Sequence, residues 1–194
     1  MGKISSKICS ILYRVTGHWF PESYKNIKIG KKEIHIKCGL RYRRFLAKRI
    51  IRECGIAVNI EKYSKFSKDI HLGDYSGIGS KCSVGPKTHI GDHVMMGPEV
   101  IIYTRNHETS RVDITMDKQG FRPIQPVYIG NDVWIGRRVM IMPGVHIGDG
   151  CVLGAGCVIA KDIPPYSVVV GNPARIIKNR QDEAKKLAAE KNEE

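Results

Sequence analysis

The stretch spanning residues 71–102 is HLGDYSGIGSKCSVGPKTHIGDHVMMGPEVII, in which a bulky apolar residue recurs at every sixth position. From residue 60 onward these anchors are Ile60, Phe66, Leu72, Ile78, Val84, Ile90, Met96 and Ile102. Glycine directly follows five of them: Gly73, Gly79, Gly85, Gly91 and Gly97. The fourth position after most anchors is small or β-branched: Ser64, Ser76, Cys82, Thr88, Val94 and Val100, with the larger Ile70 among them. A period of six fits neither an amphipathic helix nor an alternating strand.

The same period resumes further along the chain, at Ile129, Ile135, Ile141, Ile147, Leu153 and Ile159. The glycines that follow are Gly130, Gly136, Gly148 and Gly154, and the small positions hold Val133, Val139, Val145, Cys151 and Cys157. A chain that turns every six residues forms a triangular coil of about 18 residues, with its anchors pointing into a narrow prism. Stacked coils satisfy each other's backbone hydrogen bonds, and we expect the glycines to permit unusual corner dihedrals. The pattern predicts a mainly β protein, a parallel β-helix over residues 58–172.

An interruption separates the two sets of repeats. Residues 103–126 are YTRNHETSRVDITMDKQGFRPIQP, and the 27 residues from Ile102 to Ile129 are not a multiple of six. The segment therefore leaves the coil as a projecting loop, and loops of this length are usually functional. It carries Asn106 and His107, and His107 stands immediately after a coil face. An imidazole, with an ordinary pKa near 6.5, suits a general base at neutral pH.

Composition restricts the class of protein. The chain has 194 residues, of which 42% are hydrophobic, which suits one globular domain with an appendage. No apolar run approaches the roughly 18–20 residues that a membrane span needs, and we expect no signal peptide. Three of the six cysteines occupy the small position of the repeat, where a buried thiol fits. Reduced cysteines and a cytoplasmic protein are therefore expected.

Positive charge is concentrated at the N-terminus. The formal net charge is +13, and residues 1–57 hold 14 Lys and Arg against three acids, which gives +11 for that segment. Such a segment attracts anionic partners, namely nucleic acid, a lipid surface or a polyphosphate ligand. An ordinary solvated basic face is an equally open explanation. No aromatic stacking platform accompanies the charge, so nucleic acid is the weakest of these possibilities.

Two helices are predicted before the coil, within a basic N-terminal segment, 1–57. Residues 40–54 place apolar side chains on one face with arginines opposite: Leu40, Phe45, Leu46, Ile50 and Ile51. This helix would cap the open first coil. Upstream apolar residues also fall at helical spacing: Ile4, Ile8, Ile11, Leu12, Val15 and Trp19. We expect them to pack against the capping helix, with a helix lying on a membrane surface as the alternative. Residues 173–194 form a C-terminal extension whose charged tail should fray.

Three segments carry a family resemblance: 96–107 (MGPEVIIYTRNH), 129–136 (IGNDVWIG) and 161–175 (KDIPPYSVVVGNPAR). They are similar to sugar and xenobiotic O-acetyltransferases of the hexapeptide-repeat, left-handed β-helix acyltransferase superfamily. The resemblance implies a left-handed coil, acetyl-CoA as co-substrate, no metal, and a homotrimer with sites between subunits. It implies that His107 deprotonates an acceptor hydroxyl and that Trp134, with Asn106, walls the active site.

The resemblance also implies a coenzyme A site. Main chain of the later coils would contact the pantetheine arm, at Gly136, Arg137, Ala155 and Ala160. Basic residues beyond the last coils would meet the phosphates, namely Lys161, Arg175 and Lys178, with ordinary surface charges as the alternative. Transfer would be direct, with a backbone amide near Arg137 stabilising the tetrahedral intermediate. The acceptor would be a sugar or polysaccharide-precursor hydroxyl.

One departure and several alternatives remain. The polar pair that galactoside-type members use to hold the sugar falls here on Gly77 and Gly85, so a galactoside or maltose acceptor is doubtful. Alternative functions are an N-acetyltransferase for amino sugars, a serine-type acetyltransferase and a non-catalytic solenoid scaffold. The spacing of His89 and His93 suggests a metal site only weakly. The carboxylate that orients His107 is left open among Glu99, Glu108 and Asp113.

Overall fold

A computed structural model describes residues 5–23 and 37–190, together with the backbone of residues 26–29 and 32–35. The N-terminal elements are helix α1 (Ser6–Thr16), strands β1 (Asn26–Ile29) and β2 (Lys32–His35), and helix α2 (Cys38–Ile50). The two strands form an antiparallel hairpin. Ile4 of the predicted first helix lies outside the described residues.

The remainder is a three-sided parallel β-helix of about six turns. Face one consists of β3 (Glu53–Cys54), β6 (His71–Leu72), β9 (Thr88–Ile90), β12 (Val127–Ile129) and β15 (His146–Ile147). Face two consists of β4 (Asn59–Ile60), β7 (Gly77–Ile78), β10 (Met95–Met96), β13 (Trp134–Ile135), β16 (Val152–Leu153) and β18 (Ser167–Val170). Face three consists of β5 (Lys65–Phe66), β8 (Ser83–Val84), β11 (Ile101–Ile102), β14 (Met140–Ile141) and β17 (Val158–Ile159). The predicted repeat is confirmed in both segments.

The core of the coil consists of the anchors and the small positions. All anchors are buried except Phe66, which is partly buried and packs against the core. Every small position from Ser64 to Cys157 is buried as well. All six cysteines are free thiols, and burial raises the pKa of Cys82 to about 11. The buried thiols at the small positions, those of Cys82, Cys151 and Cys157, act as small apolar fillers, as the repeat predicts.

The prediction that the repeat glycines are needed for unusual corner dihedrals is wrong. The left-handed backbone conformation falls three residues after the anchor, usually on residues other than glycine, such as Lys81 (φ 58°) and Arg138 (φ 58°). A Cβ atom on Gly79 would lie 2.6 Å from the carbonyl carbon of Gly97 in the next turn, and one on Gly136 would lie 2.7 Å from the nitrogen of Ala155. These glycines are therefore required by the close approach of successive turns.

Gly79→Ala is expected to lower the free energy of unfolding by about 2–3 kcal/mol, because the new methyl group would force two turns of backbone apart. Gly77→Ala is the matched control. A Cβ at Gly77 would meet the carbonyl oxygen of Asn59 at 3.4 Å, an ordinary contact. We expect the free energy of unfolding of this control to lie within about 1 kcal/mol of that of the native protein. Urea denaturation of both variants measures the difference, and equal midpoints would contradict the explanation.

A column of side chains caps the backbone at the corner between faces one and two. The carboxylate or amide oxygen of each member accepts a hydrogen bond from an amide of the preceding turn. The bonds run to Asp74 from Ile56 N–H, to Asp92 from Asp74 N–H, to Asn131 from Asp92 N–H and to Asp149 from Asn131 N–H, at 2.6–2.8 Å. We call Asp74, Asp92, Asn131 and Asp149 the Asx column. The N–H groups of Asp74, Asp92 and Asn131 are thereby satisfied within the chain.

Helix α2 covers the first turn, as predicted, but with a different buried face. Its buried residues are Gly39, Arg43, Leu46, Ala47 and Ile50. Arg43 is fully buried, whereas Phe45 is 42% exposed. Arg43 was expected on the solvent side; its guanidinium instead donates to Ile60 O (2.6 Å) and Pro21 O (3.1 Å) and contacts the Glu61 carboxylate at 3.4 Å. Arginine is tolerated there because its donors are satisfied.

Helix α1 packs on α2 through residues other than those predicted. Cys9 is fully buried, and Thr16 Oγ1 lies 2.6 Å from the Tyr42 hydroxyl. The Tyr13 hydroxyl lies 2.7 Å from Ser64 Oγ, and burial raises the pKa of Tyr13 to about 12. The apolar residues expected at this contact remain exposed: Ile8, Ile11, Leu12, Val15 and Trp19. The prediction of packing holds for α1 but is wrong for those side chains.

The C-terminus is more ordered than expected. Strand β19 (Arg175–Asn179) pairs antiparallel with β18, and helix α4 (Arg180–Glu190) follows. The expectation of a frayed tail is therefore wrong over these residues. Alanine, lysine and glutamate favour helix, and Asp182 and Glu183 lie in its first turn, where the helix dipole favours acids. No residue of α4 is buried. In the part of the chain that the structure describes, no helix is long and apolar enough to cross a bilayer.

Candidate active site

The projecting loop lies where it was predicted, between the end of β11 at Ile102 and the start of β12 at Val127. Its two ends pair: Gln125 N–H donates to Thr104 O (2.7 Å), and Arg122 N–H donates to Asn106 O (2.9 Å). A short helix, α3 (Met116–Gln119), lies in the middle of the loop. The loop therefore leaves the corner between faces three and one as a two-stranded arm. We call this corner the three–one corner.

His107 lies on the first strand of this arm and is exposed. Its backbone bridges to Phe121, and the two rings lie 4.1 Å apart between centroids. The guanidinium of Arg105 lies 3.9 Å from the centroid of the same Phe121 ring. Phe121 thus supports the imidazole from one side. The neighbouring Asn106 is also exposed.

The three carboxylates considered as partners of His107 have other partners in the chain. Glu99 accepts hydrogen bonds from Arg138 (2.6 Å) and Arg137 (2.5 Å), which lower its pKa to about 2. Backbone N–H groups of Thr109 and Ser110 lower the pKa of Glu108. Arg111 lowers the pKa of Asp113. Within the described residues, none of these carboxylates hydrogen-bonds the imidazole.

Trp134 lies on face two and is 55% exposed. In the ladder it pairs with Met95 on one side and Val152 on the other. Its side chain points out of the prism because the neighbouring Ile135 occupies the anchor position and is fully buried. The predicted outward orientation is confirmed.

The next corner, between faces two and three, carries the first part of the predicted coenzyme site. We call it the two–three corner. Gly136 and Arg137 stand there, with Ala155 one turn below. Within the described residues, the N–H groups of Arg137 and Ala155 donate no hydrogen bond, in contrast to the amides of the Asx column. These donors, which have no partner among the described residues, would suit the amide carbonyls of a pantetheine chain.

The other predicted coenzyme residues lie elsewhere. Ala160 and Lys161 follow β17 and therefore stand at the three–one corner, two turns below the loop. Arg175 and Lys178 lie on β19, at the end of face two, and Lys178 Nζ pairs with Glu183 at 2.6 Å. All four are exposed. The Lys178 ammonium has three N–H donors, so its pairing with Glu183 leaves donors for a phosphate.

The predicted site residues thus fall into two sets within one chain. His107, Ala160 and Lys161 belong to the three–one corner, whereas Trp134 and Arg137 belong to face two and the two–three corner. Face three lies between the sets, and a side of six residues spans up to about 20 Å at ~3.3 Å per residue. Within one chain, face three therefore separates His107 from Trp134 and Arg137.

A cleft beside Trp134 was not predicted. It has a volume of about 380 Å³ on face two and is lined by Ser23, Asn59, Glu61, Tyr75, Gly77, Ile78, Gly79, Ser80, Val94, Met95, Met96 and Pro98. On face two, Gly77 lies between Asn59 and Met95, at the position of each strand whose side chain points outward. Because glycine has no side chain, the cleft opens there. Asn59 Nδ2 donates to Glu61 Oε1 and Ser23 Oγ, both at 3.0 Å. The only sequence signal for this cleft was a glycine where relatives have a polar residue.

The second departure, Gly85, differs from the first. A Cβ there would lie 2.7 Å from Thr104 Oγ1 and 3.0 Å from Ile102 O, at the base of the loop. This position accommodates a side chain only if the loop shifts, whereas Gly77 is open.

The histidine pair considered for metal binding has other contacts. The ring of His89 stacks on Tyr128 at 4.7 Å, and that of His93 stacks on Tyr75 at 5.0 Å. Among the described residues there is no group of three His, Cys, Asp or Glu side chains suited to hold a metal ion.

Known proteins resemble this chain in sequence and in fold. A family model described as bacterial transferase hexapeptide (six repeats) matches residues 126–161. A maltose O-acetyltransferase from Clostridium difficile 630 is 31% identical, with a TM-score of 0.67, over 90% of this chain and 86% of that chain. A galactoside acetyltransferase in complex with coenzyme A is 28% identical, with the same TM-score, over 93% and 81% of the two chains.

Curated sequences give a shorter match. The galactoside O-acetyltransferase of Escherichia coli K12 is 38% identical over 125 residues, which are 63% of this chain and 60% of that protein. The chain spans 59–66% of the length of the curated relatives it matches. The structural neighbours are left-handed β-helix acetyltransferases, so the expected handedness is confirmed. The chain belongs to the hexapeptide-repeat acetyltransferase family.

Proposed function

We propose that this protein transfers an acetyl group from acetyl-CoA to a hydroxyl of a sugar or polysaccharide precursor. The observation that carries the proposal is the placement of two sets of groups. An exposed His107 stands on an arm at the three–one corner, whereas the unpartnered amides of Arg137 and Ala155 stand at the two–three corner, next to Trp134 on face two. Coenzyme A is bound by a galactoside acetyltransferase that shares this fold over most of both chains. The two corners supply the base, the wall and the donors that thioester attack needs.

The site is completed by a second copy of the chain. The arm of one subunit would meet the two–three corner of its neighbour, because each chain carries one half at each edge of face three. This contact joins two different surfaces, and three copies close it into a ring. The placement of His107 and Trp134 supports a homotrimer with three sites between subunits.

His107 acts as the general base. Its imidazole takes the proton of the acceptor hydroxyl as the oxygen attacks the thioester carbonyl. The N–H group of Arg137 then donates to the oxyanion, and the tetrahedral intermediate collapses with loss of the coenzyme A thiolate. The Arg137 guanidinium is held on Glu99. We expect the backbone of this residue, with Gly136 before it, to meet the cofactor. Asn106 and Trp134 wall the reacting groups.

Coenzyme A would lie along the seam between two subunits. Ala155 N–H at one corner and Ala160 at the other meet the pantetheine arm. Lys161, Arg175 and Lys178 meet its phosphates by charge-assisted hydrogen bonds. No metal takes part in this scheme.

The face-two cleft is where the acceptor would bind. It ends at Met95, one strand from Trp134, and its other end carries the polar groups of Asn59 and Ser23. An apolar cleft with a few convergent polar groups is typical of small-molecule sites. Because Gly77 opens this cleft, its acceptor differs in shape from that of relatives with a side chain there.

A transfer assay tests the proposal. Thiol release from acetyl-CoA is measured with a panel of saccharides, amino sugars and serine. We expect release with a saccharide hydroxyl, and we expect Gly77→Phe to raise the KM for that acceptor about tenfold or more, because the ring fills the cleft. The KM for acetyl-CoA should stay unchanged, and Gly77→Ala serves as the control of small volume.

Three other outcomes of these measurements would each support one of the alternative functions. Transfer to amine acceptors alone would indicate an N-acetyltransferase, and transfer to serine alone would indicate a serine-type enzyme. A protein whose Tm does not rise with coenzyme A concentration would be a non-catalytic solenoid, since a ligand bound to the native state must stabilise it.

The free thiols support a reducing compartment. Six unpaired cysteines, four of them buried, favour a cytoplasmic site of action.

A further inference from the structure

Helix α1 exposes an apolar surface that the described residues do not cover. Ile8, Ile11, Leu12 and Val15 recur at positions i, i+3, i+4 and i+7 and so share one side of the helix. They are 51%, 61%, 36% and 53% exposed, respectively. We call these four residues the α1 stripe. A contiguous exposed apolar patch of this kind marks a surface that meets a partner.

The stripe is not required to hold α1 in place. A neighbouring side of the helix packs on the protein through Cys9 and Tyr13, and Thr16 Oγ1 lies 2.6 Å from the Tyr42 hydroxyl. The helix thus has two adjacent sides, one buried in the chain and one apolar side directed outward. Trp19, in the turn after α1, is 69% exposed.

The surroundings of the stripe are positive. Residues 5–23 and 37–52 hold one acid, Glu22, and nine bases: Lys7, Arg14, Lys37, Arg41, Arg43, Arg44, Lys48, Arg49 and Arg52. Lys7 and Arg14 flank the stripe on α1 and are exposed, as are Lys48 and Arg49 on α2. Two copies of this surface placed together would repel each other. An anionic and partly apolar partner matches both properties.

We propose that the α1 stripe lies in the interface of an anionic lipid bilayer. Its apolar side chains would enter the boundary between head groups and acyl chains, while the flanking cations contact acidic head groups. Trp19 suits the same depth, because its ring is apolar and its N–H is polar. The inference concerns where the protein works and holds independently of the proposed transfer reaction.

Vesicle sedimentation of the full chain tests it. We expect binding to vesicles of phosphatidylcholine with phosphatidylglycerol, weaker binding to phosphatidylcholine alone, and loss of binding as salt is raised. Ile11→Gln together with Val15→Gln should weaken binding at least about tenfold, because two apolar side chains no longer enter the interface. Arg14→Gln should weaken it about fivefold through the lost attraction to acidic lipid.

Leu187→Gln is the matched control, since it removes a side chain that is 60% exposed on α4, at the far end of the chain. Its binding should equal that of the native protein. Circular dichroism and light scattering on every variant report fold and oligomeric mass. Three outcomes overturn the inference: no vesicle binding by the native protein; equal binding by the double variant; or a change of oligomeric mass in that variant, which would place the stripe between subunits.

Discussion

Replacing His107 by alanine is expected to lower turnover about 10²- to 10⁴-fold, the contribution of a positioned general base. The fold should survive, because the imidazole is exposed and the arm is held by backbone hydrogen bonds such as that from Arg122 N–H to Asn106 O (2.9 Å). Thiol release at saturating acetyl-CoA and acceptor measures the effect. His146→Ala, which removes an exposed imidazole from face one, should stay within about twofold of the native rate. Native turnover in the His107 variant would overturn the assignment.

Mixed oligomers test whether the site is shared. Ala155→Trp would block the two–three corner while leaving His107 intact. If one subunit supplies His107 and its neighbour supplies the corner, mixing this variant with His107→Ala rebuilds native sites at about a quarter of the interfaces. If the site lies within one chain, the mixture stays as inactive as its components. Each variant alone, at the same total concentration, is the control.

Arg43→Ala is expected to lower the free energy of unfolding by about 3–5 kcal/mol, because it leaves the Glu61 carboxylate buried without its cation. Arg43 is fully buried and joins α2 to Ile60 O and to the carbonyls of Gly17, Phe20 and Pro21. Its loss also frees the segment before α2 from the first turn. Urea denaturation followed by circular dichroism gives the value.

Two further variants separate charge from packing at this position. Arg49→Ala, on the same helix but exposed, should change stability by about 0.5 kcal/mol or less. Arg43→Met combined with Glu61→Gln removes both buried charges and should recover much of the loss. A single Arg43→Ala variant as stable as Arg49→Ala would show that the ion pair contributes nothing to folding.

The coil was predictable because its signal is periodic. Anchors every six residues identify the strands, and the break in register after Ile102 fixes the loop at 103–126. The role of Gly79 was misassigned because sequence does not distinguish a glycine needed for its dihedral angles from one needed for clearance. Only the distance to the next turn separates the two explanations.

The N-terminal segment was predicted less well. Helical spacing alone treats every arginine as exposed, yet Arg43 is buried because carbonyl groups from a distant part of the chain satisfy it. The same reasoning assigned Ile11 and Val15 to an internal contact that Cys9 and Tyr13 provide instead. Both errors concern tertiary partners that periodicity does not specify.

The division of the site between subunits was predicted only from the family resemblance. His107 and Trp134 were identified from local sequence, and their separation by face three emerges only when strands are assigned to faces. The cleft at Gly77 depends on the N-terminal segment folding back, so that Ser23 reaches Asn59. No local pattern encodes that contact.

The Asx column continues across the projecting arm without a break. Asn131 caps the amide of Asp92 across 39 residues with the same geometry with which Asp92 caps Asp74 across 18. The stacking of the coil therefore does not depend on the length of the segment inserted between Asp92 and Asn131. Closing a longer insertion costs only about 0.6 kcal/mol per doubling of its length. The arm is thus an exchangeable module: segments of other lengths that retain His107 can be grafted between Ile102 and Val127 while every rung below stays in register.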